Sequence, residues 1–440
     1  MSKNGDRRLL GPWMSVAMVM GYMIGSAIFL LPATLAPYGV NALIAWGVTV
    51  GGTMCLALAL SRLAARNPGG PQSYVRQAFG PTPAYFIMWM YWVSVFTSTA
   101  GIAVAFGGAA SATLGSIAGP AWVVPLAICA IFVVAAINLR GVHSAGEFQV
   151  ITTLIKLLPL IGVILVLAFR VGSGRPTEPL SPIPISATSV ATASALILFS
   201  LVGFEAAVVA ARKTRDPERI VPLATLAGTG ATGLLYFFSC TAAMLLLPYA
   251  SAAASTSPFA DAISPTVGAG VGRIVAALTA VSAIGALNAS VLIQGEVGQQ
   301  LAQSGDLPRI MARGNARLAP TVSLIVTSVI SALFVSFNAS RSFVGLYVFI
   351  TLISTAASLA FYASGAVAAL KLKLGGITQL LIVIGLFYAI WTFYGAGLEA
   401  TAWALALLAL GVPVLLISRW LNGSSRAEAE NPAAPPGSAA

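Results

Sequence analysis

The chain has 440 residues, of which 58% are hydrophobic and 8% charged, and its mean hydropathy is +0.92. A soluble domain carries about 25% charged residues, so the composition excludes a soluble globular protein and predicts an all-α integral membrane protein. The net charge of +11 invites a nucleic-acid reading, which the placement of the charges rejects below.

Twelve segments reach spanning length by hydropathy, near 10–35, 40–61, 82–112, 121–139, 149–170, 189–211, 222–248, 270–302, 319–338, 343–370, 376–395 and 399–418. The first runs from Leu10 to Leu35 without a charge, longer than the roughly 20 residues a bilayer requires. It is too long for a signal-peptide core and has no clear small-residue cleavage site, so it is expected to stay in the mature protein. Its centre reads Gly25-Ser26-Ala27, with Pro32 soon after. Small residues let backbone open there, and open backbone inside a membrane is tolerated only where it is buried in protein or lines a cavity. Secondary transporters bind solute at such breaks, which recur at corresponding positions of inverted repeats.

If the first span opens a repeat of five, the sixth opens the next and is expected to be broken too. It reads Leu198-Phe-Ser-Leu-Val-Gly-Phe-Glu-Ala-Ala207, with Gly203 inside the span and Glu205 buried in an uncharged stretch. Opening a helix frees amide donors at one stub and carbonyl acceptors at the other, with partial charges to match. Amides at Ser26, Ala27 and Ile28 would hold a carboxylate. Carbonyls near Met23, Ile24, Phe199 and Val202 would hold an ammonium. A zwitterionic α-amino acid carries both groups.

Lys156 lies within the fifth span, where a charge is costly and functional by default. The plainer reading is a lysine snorkelling to the membrane surface, about seven residues or 10 Å away. The plainer reading of Glu205 is a structural carboxylate that accepts hydrogen bonds from neighbouring spans, and Glu296 has a weaker claim at an inner gate. Trp89, Tyr91 and Trp92 crowd the third span, where most such rings only pack. Cys55, Cys129 and Cys240 sit in apolar spans without paired spacing, and packing is their default role. His143, the single histidine, falls in a loop.

With the N-terminus in the cytoplasm, Arg170, Arg175, Arg273 and Arg341 fall outside and Lys156 within a span. The rest of the 23 Lys and Arg fall on cytoplasmic loops and tails. They are densest at Arg212, Lys213, Arg215 and Arg219, at Arg62, Arg66 and Arg76, and at Arg309, Arg313 and Arg317. That is the positive-inside pattern; the basic residues set orientation and need no nucleic acid. Residues 421–440 form a polar, Pro- and Ala-rich tail expected to be disordered. The transporter domain is thus 1–420, with repeat one near 10–170, repeat two near 189–370 and two extra helices near 376–418.

Gly25-Ser26-Ala27-Ile28-Phe29 with Leu31-Pro32, and Gly203-Phe204-Glu205 followed by Asp216-Pro217-Glu218-Arg219-Ile220-Val221-Pro222, resemble signatures of the amino acid–polyamine–organocation transporters. The resemblance covers residues 9–420. It is closest to the arginine/agmatine antiporter branch, through Gly80-Pro81, Tyr91-Trp92, Ser257-Pro258-Phe259 and Gly305-Asp306-Leu307-Pro308. It implies a LeuT-like 5+5 inverted repeat with helices 1 and 6 broken and two further C-terminal helices. The implied backbone site is Met23, Ile24, Gly25 and Ser26, although Ala27 replaces the last glycine of the usual Gly-Ser-Gly. Tyr91 matches a tyrosine that closes over substrate. Phe199 stands where the arginine exchangers have a tryptophan gate, followed by the matching Ser200. Thr99 and Ser290 stand where that branch has an Asn and a Trp on the guanidinium. A smaller or neutral substrate side chain fits these residues better. The resemblance also implies a gating or proton-sensing role for Glu205, and a built-in cation at Lys156 where sodium-driven members of the wider fold bind Na⁺.

An embedded enzyme would need a nucleophile–base set, a carboxylate cluster or a zinc pair in the spans; Lys156, Glu205 and Glu296 stand far apart in sequence. A channel would show a filter loop or rings of like charge. The expected protein is therefore a sodium-independent, alternating-access amino acid carrier of the cell membrane with both termini cytoplasmic. It would be an exchanger or proton-coupled carrier, with an arginine/agmatine-type or polyamine antiporter as the alternative. No cofactor, metal or nucleic acid is called for; the partners are a small amino acid or amine and the lipid bilayer, and a homodimer is allowed.

Overall fold

Backbone in hydrocarbon must satisfy its own polar groups, which helices do within one segment. The computed structural model has no β-strand among its described residues, which are 11–430 apart from 67–70, 118, 141–144, 206–207, 209–213, 215, 316–318, 338 and 374–375. His143, Arg212, Lys213, Arg215, Arg317 and residues 431–440 lie outside the described residues.

Each expected span holds an apolar helix. The first is the pair α1 (Pro12–Met23) and α2 (Ala27–Leu35), bent by 53° at its break. Then come α3 (Val40–Arg66), a short α4 (Pro71–Phe79), α5 (Pro81–Leu114), α6 (Val123–Leu139), α7 (Ala145–Gly172) and α8 (Ala187–Leu201). Beyond the second break lie α9 (Pro217–Leu246), two short helices α10 (Tyr249–Ala254) and α11 (Pro258–Val267), and α12 (Ala269–Gln303). The chain ends with α13 (Thr321–Phe337), α14 (Phe343–Leu370), α15 (Gly376–Gly395) and α16 (Gly397–Glu430). Eight of these are long and apolar enough to cross a membrane, while α6, α8 and α13 are shorter. The 15-residue α8 is short because the sixth expected span opens at residue 202.

Local sequence sets the ends. Pro81 follows Gly80, whose φ of +81° suits glycine, and opens α5; proline at the first helical position loses no hydrogen bond. Ser186 and Ser342 cap α8 and α14 by accepting from the Ser189 and Gly345 amides. Three short helices, α4, α10 and α11, lie where the hydropathy reading has only loops. At the C-terminus α16 continues to Glu430, past the tail boundary expected at residue 421.

The longest helices pack as a scaffold: α5 lies along α12 and α14, and α13 packs on α5, α6 and α12. Polar side chains bolt it together. The Trp92 Nε1 donates to Gln294 O at 3.0 Å, and Gln294 Nε2 donates to Ser328 Oγ at 3.2 Å. Ser331 donates to Phe96 O at 3.0 Å, and Ser354 to Ser94 O at 2.8 Å. Such bonds hold membrane helices together where no hydrophobic force acts between them. Against this scaffold sit α1, which packs on α9, and α8, which packs on α3, α14 and α15.

Candidate functional site

The Gly25-Ser26 step separates α1 from α2. The Ser26 side chain does not cap α2, and its buried hydroxyl has no hydrogen-bond partner. By position, the first amides of α2 lack an intrahelical acceptor and carry the positive end of the helix dipole. At Gly25 the φ is not left-handed, and an added Cβ would meet Ala286 Cβ at an ordinary contact distance of 3.6 Å, so a methyl fits there and only a larger side chain would crowd the break.

Met23 plays a different part from the one expected. Its carbonyl accepts from the Tyr236 hydroxyl at 2.7 Å and from the Gly25 amide at 2.7 Å. Both lone pairs are engaged, so this carbonyl braces the break instead of standing open to an ammonium. On the other side of the break, the Tyr347 hydroxyl donates to Ala27 O at 3.2 Å.

The sixth expected span also opens. α8 stops at Leu201, Val202 turns to ψ 138°, and Gly203 takes a φ of +114°. The Gly203 amide, which would continue the helix by bonding Phe199 O, instead donates to Glu205 Oε2 at 3.1 Å. The Ser200 hydroxyl is spent on Ile197 O at 2.7 Å. The two breaks touch through bare backbone, because a Cβ on Gly203 would lie 3.3 Å from the Tyr22 carbonyl carbon and oxygen. Gly203→Ala therefore meets both a disfavoured φ and a tight contact. Strain of this kind costs on the order of 1–3 kcal/mol; the variant is expected to melt several degrees lower and to transport more slowly, as thermal unfolding and uptake assays would show.

Glu205 is buried, at 6% exposure, yet well partnered. The Tyr362 hydroxyl donates to the same Oε2 at 3.2 Å, and Tyr91 lies near enough to the carboxylate to interact electrostatically. Phe361 packs between the two tyrosines, with ring centroids 4.6 Å from Tyr91 and 5.6 Å from Tyr362. Helix α14 is thus tied to the second break through one carboxylate.

The expected side-chain pocket closes differently. The Phe199 ring sits over Gly101 of α5 and edge-on to Tyr347, with centroids 6.2 Å apart. Thr99 and Ser290 meet directly, their hydroxyl oxygens 2.6 Å apart in a buried hydrogen bond between α5 and α12. Ser290 is one turn along α12 from Ala286, which faces Gly25. The pair therefore lies on the wall that the first break faces.

Lys156 is 1% exposed, inside the bundle on α7, which packs against α1, α9 and α12. It does not snorkel to the surface. Glu296 by contrast is exposed and lies close enough to Tyr22 to interact electrostatically.

Sequence reading did not single out Tyr236, Tyr347 or Tyr362. A lone tyrosine in an apolar span carries no signal of its own; only its long-range partners reveal the role.

A family model described as amino acid permease matches residues 10–398. A Bacillus subtilis protein provisionally named an arginine/ornithine antiporter is 29% identical over 408 residues, 84% of this chain and 85% of its own. The Escherichia coli K12 cadaverine/lysine antiporter is 27% identical over 395 residues, covering 86% and 82%. The putrescine transporter PotE of the same strain is 27% identical over 319 residues, 72% of each chain.

Proposed function

Because the chain belongs to the amino acid permease family, we propose that this multi-pass membrane transporter exchanges small or medium neutral amino acids across the cell membrane by alternating access, without Na⁺. The observation that carries the reading is the meeting of two helix breaks, with the Ser26 hydroxyl unpartnered beside the first amides of α2. Those amides and that hydroxyl would take the substrate carboxylate. The ammonium would rest on the Ile24 carbonyl and on Phe199 O, the acceptor that the Gly203 amide leaves.

Side-chain choice follows from the walls. Thr99 and Ser290 satisfy each other, and Phe199 supplies an apolar, aromatic lid. Glu205 already holds Gly203 and Tyr362, which suits a gate that ties the second break to α14 more than a grip on a cationic substrate. Lys156, buried on α7, supports a built-in cation in place of Na⁺. The positive-inside pattern supports cytoplasmic termini, and the breaks at α1–α2 and after α8 support two inverted repeats of five spans. A second reading, a dibasic amino acid or diamine antiporter, is favoured by the names of the relatives. It would need an anionic partner for the distal charge.

The test is exchange in proteoliposomes preloaded with each of the twenty amino acids and common diamines. Counter-flow of neutral amino acids is expected to continue undiminished when choline replaces Na⁺. A strict Na⁺ requirement would remove the role given to Lys156, and exchange confined to diamines would favour the second reading.

A further inference from the structure

A polar cavity lies away from both helix breaks, where α12 and the apolar part of α16 (Gly397–Asn422) finish. It has a volume of about 370 Å³ and is lined by Ser304, Gly305, Arg309, Arg419 and Asn422, among others. Asn422 shapes it. Its Nδ2 donates to Gly305 O at 3.2 Å and Leu307 O at 3.3 Å, and its Oδ1 accepts from the Arg309 amide at 3.2 Å. The amide side chain is therefore fully used in fixing the loop 304–309 to α16. The Ser304 hydroxyl accepts from Gln72 of α4 at 2.7 Å and donates to Gln300 O at 3.0 Å.

What remains to face the cavity is two guanidinium groups and the neutral side chain of Gln303. Among the described residues neither Arg309 nor Arg419 forms an ion pair. The nearby carboxylate is Asp306, half-buried, whose pKa is raised by burial and drawn back down by Arg76 and Arg419. Among the described residues, this one carboxylate beside Arg76, Arg309 and Arg419 leaves the region cationic. Beside Arg419 the surface turns apolar: Trp420 is 72% exposed and Leu416 61%, four residues apart on one face of α16. Exposed tryptophan near the end of the apolar, membrane-spanning part of α16 (Gly397–Asn422) suits the headgroup level of a bilayer.

We infer that this cavity holds the phosphate of an anionic phospholipid headgroup, gripped by Arg309 and Arg419 while the acyl chains lie along Leu416 and Trp420. The planar guanidinium fork matches phosphate oxygens two at a time, and basic pockets between spans at the cytoplasmic side are suited to such headgroups. A soluble phosphate would use the same two arginines but gain nothing from the apolar rim. A bound headgroup would bridge α16 to the loop after α12, a link now made by Asn422 alone among the cavity's hydrogen bonds to α16.

Native mass spectrometry of the full-length protein in mild detergent tests this, with phosphatidylglycerol, phosphatidylcholine and inorganic phosphate as probes. Phosphatidylglycerol is expected to be retained about tenfold more than phosphatidylcholine, and R309Q/R419Q to remove that preference. Arg313→Gln is the control, since Arg313 is exposed just past the same turn but does not line the cavity; it should retain the lipid as the unaltered protein does. Gel filtration verifies that the double variant is folded, and Arg419→Gln alone serves if it is not. Equal retention by the arginine variants, an equal loss in Arg313→Gln, or displacement of the lipid by millimolar inorganic phosphate would each overturn the assignment.

Discussion

Gly25→Leu is expected to abolish substrate binding while leaving the protein folded and inserted. The backbone at Gly25 is open to any residue, and its Cβ position clears Ala286 and the Met23 carbonyl at 3.6 and 3.8 Å. Alanine should therefore be accepted with near-normal affinity. Leucine adds three more carbons at a position already in contact with Ala286, so they must push into the space around the break. That space is the one proposed for the carboxylate, so affinity should fall by about 100-fold or more, the scale of losing two charge-assisted hydrogen bonds. Equilibrium binding of radiolabelled substrate, with thermal unfolding as the check on folding, decides it. Normal affinity in the leucine variant would move the site elsewhere.

Neutral amino acids are expected to outcompete arginine and agmatine in the unaltered protein by roughly two orders of magnitude. A buried guanidinium loses on the order of 1.5–3 kcal/mol for each charged hydrogen bond it fails to make. The Thr99 hydroxyl donates to Val95 O at 2.9 Å and lies 2.6 Å from the Ser290 hydroxyl, so the pair is engaged within the wall, and Phe199 is a weaker partner for a cation than tryptophan. The double variant T99N/S290W should shift preference back toward arginine. Competition uptake measures both; if arginine wins in the unaltered protein, the cationic substrates in the relatives' names are the better guide.

Much of the architecture was legible in the chain because hydropathy reports span length directly. The break at Gly25-Ser26 was legible because small residues interrupt an uncharged run, and the opening at Gly203 because a repeat requires a counterpart. Glycine also had to be at position 203, where φ is +114° and Tyr22 backbone lies 3.3 Å from a Cβ. The side-chain wall was legible only through family resemblance: nothing in the local sequence of Thr99 or Ser290 says that residues 191 positions apart bond to each other. The same limit hid Tyr236, Tyr347 and Tyr362, whose partners lie 213, 320 and 157 residues away. It also led to Met23 being read as an open acceptor, since the two donors that occupy its carbonyl are visible only in three dimensions. The ends of the helices were less legible still, as α16 shows by running on into a stretch whose composition suggests disorder.

The braces on the first break have a consequence for how the protein is made. The acceptors at Met23 and Ala27 are served by hydroxyls at positions 236 and 347, and Gly203 covers the adjacent backbone. A chain emerging from the ribosome inserts its first span long before any of these exists. Until then, the opened backbone faces lipid or a translocation channel with polar groups that hydrocarbon penalises by several kcal/mol each. The first span must therefore either stay continuous as a plain helix during synthesis, or wait in a wet or chaperoned environment. In this view the break is acquired late, when the second half of the chain arrives to receive it.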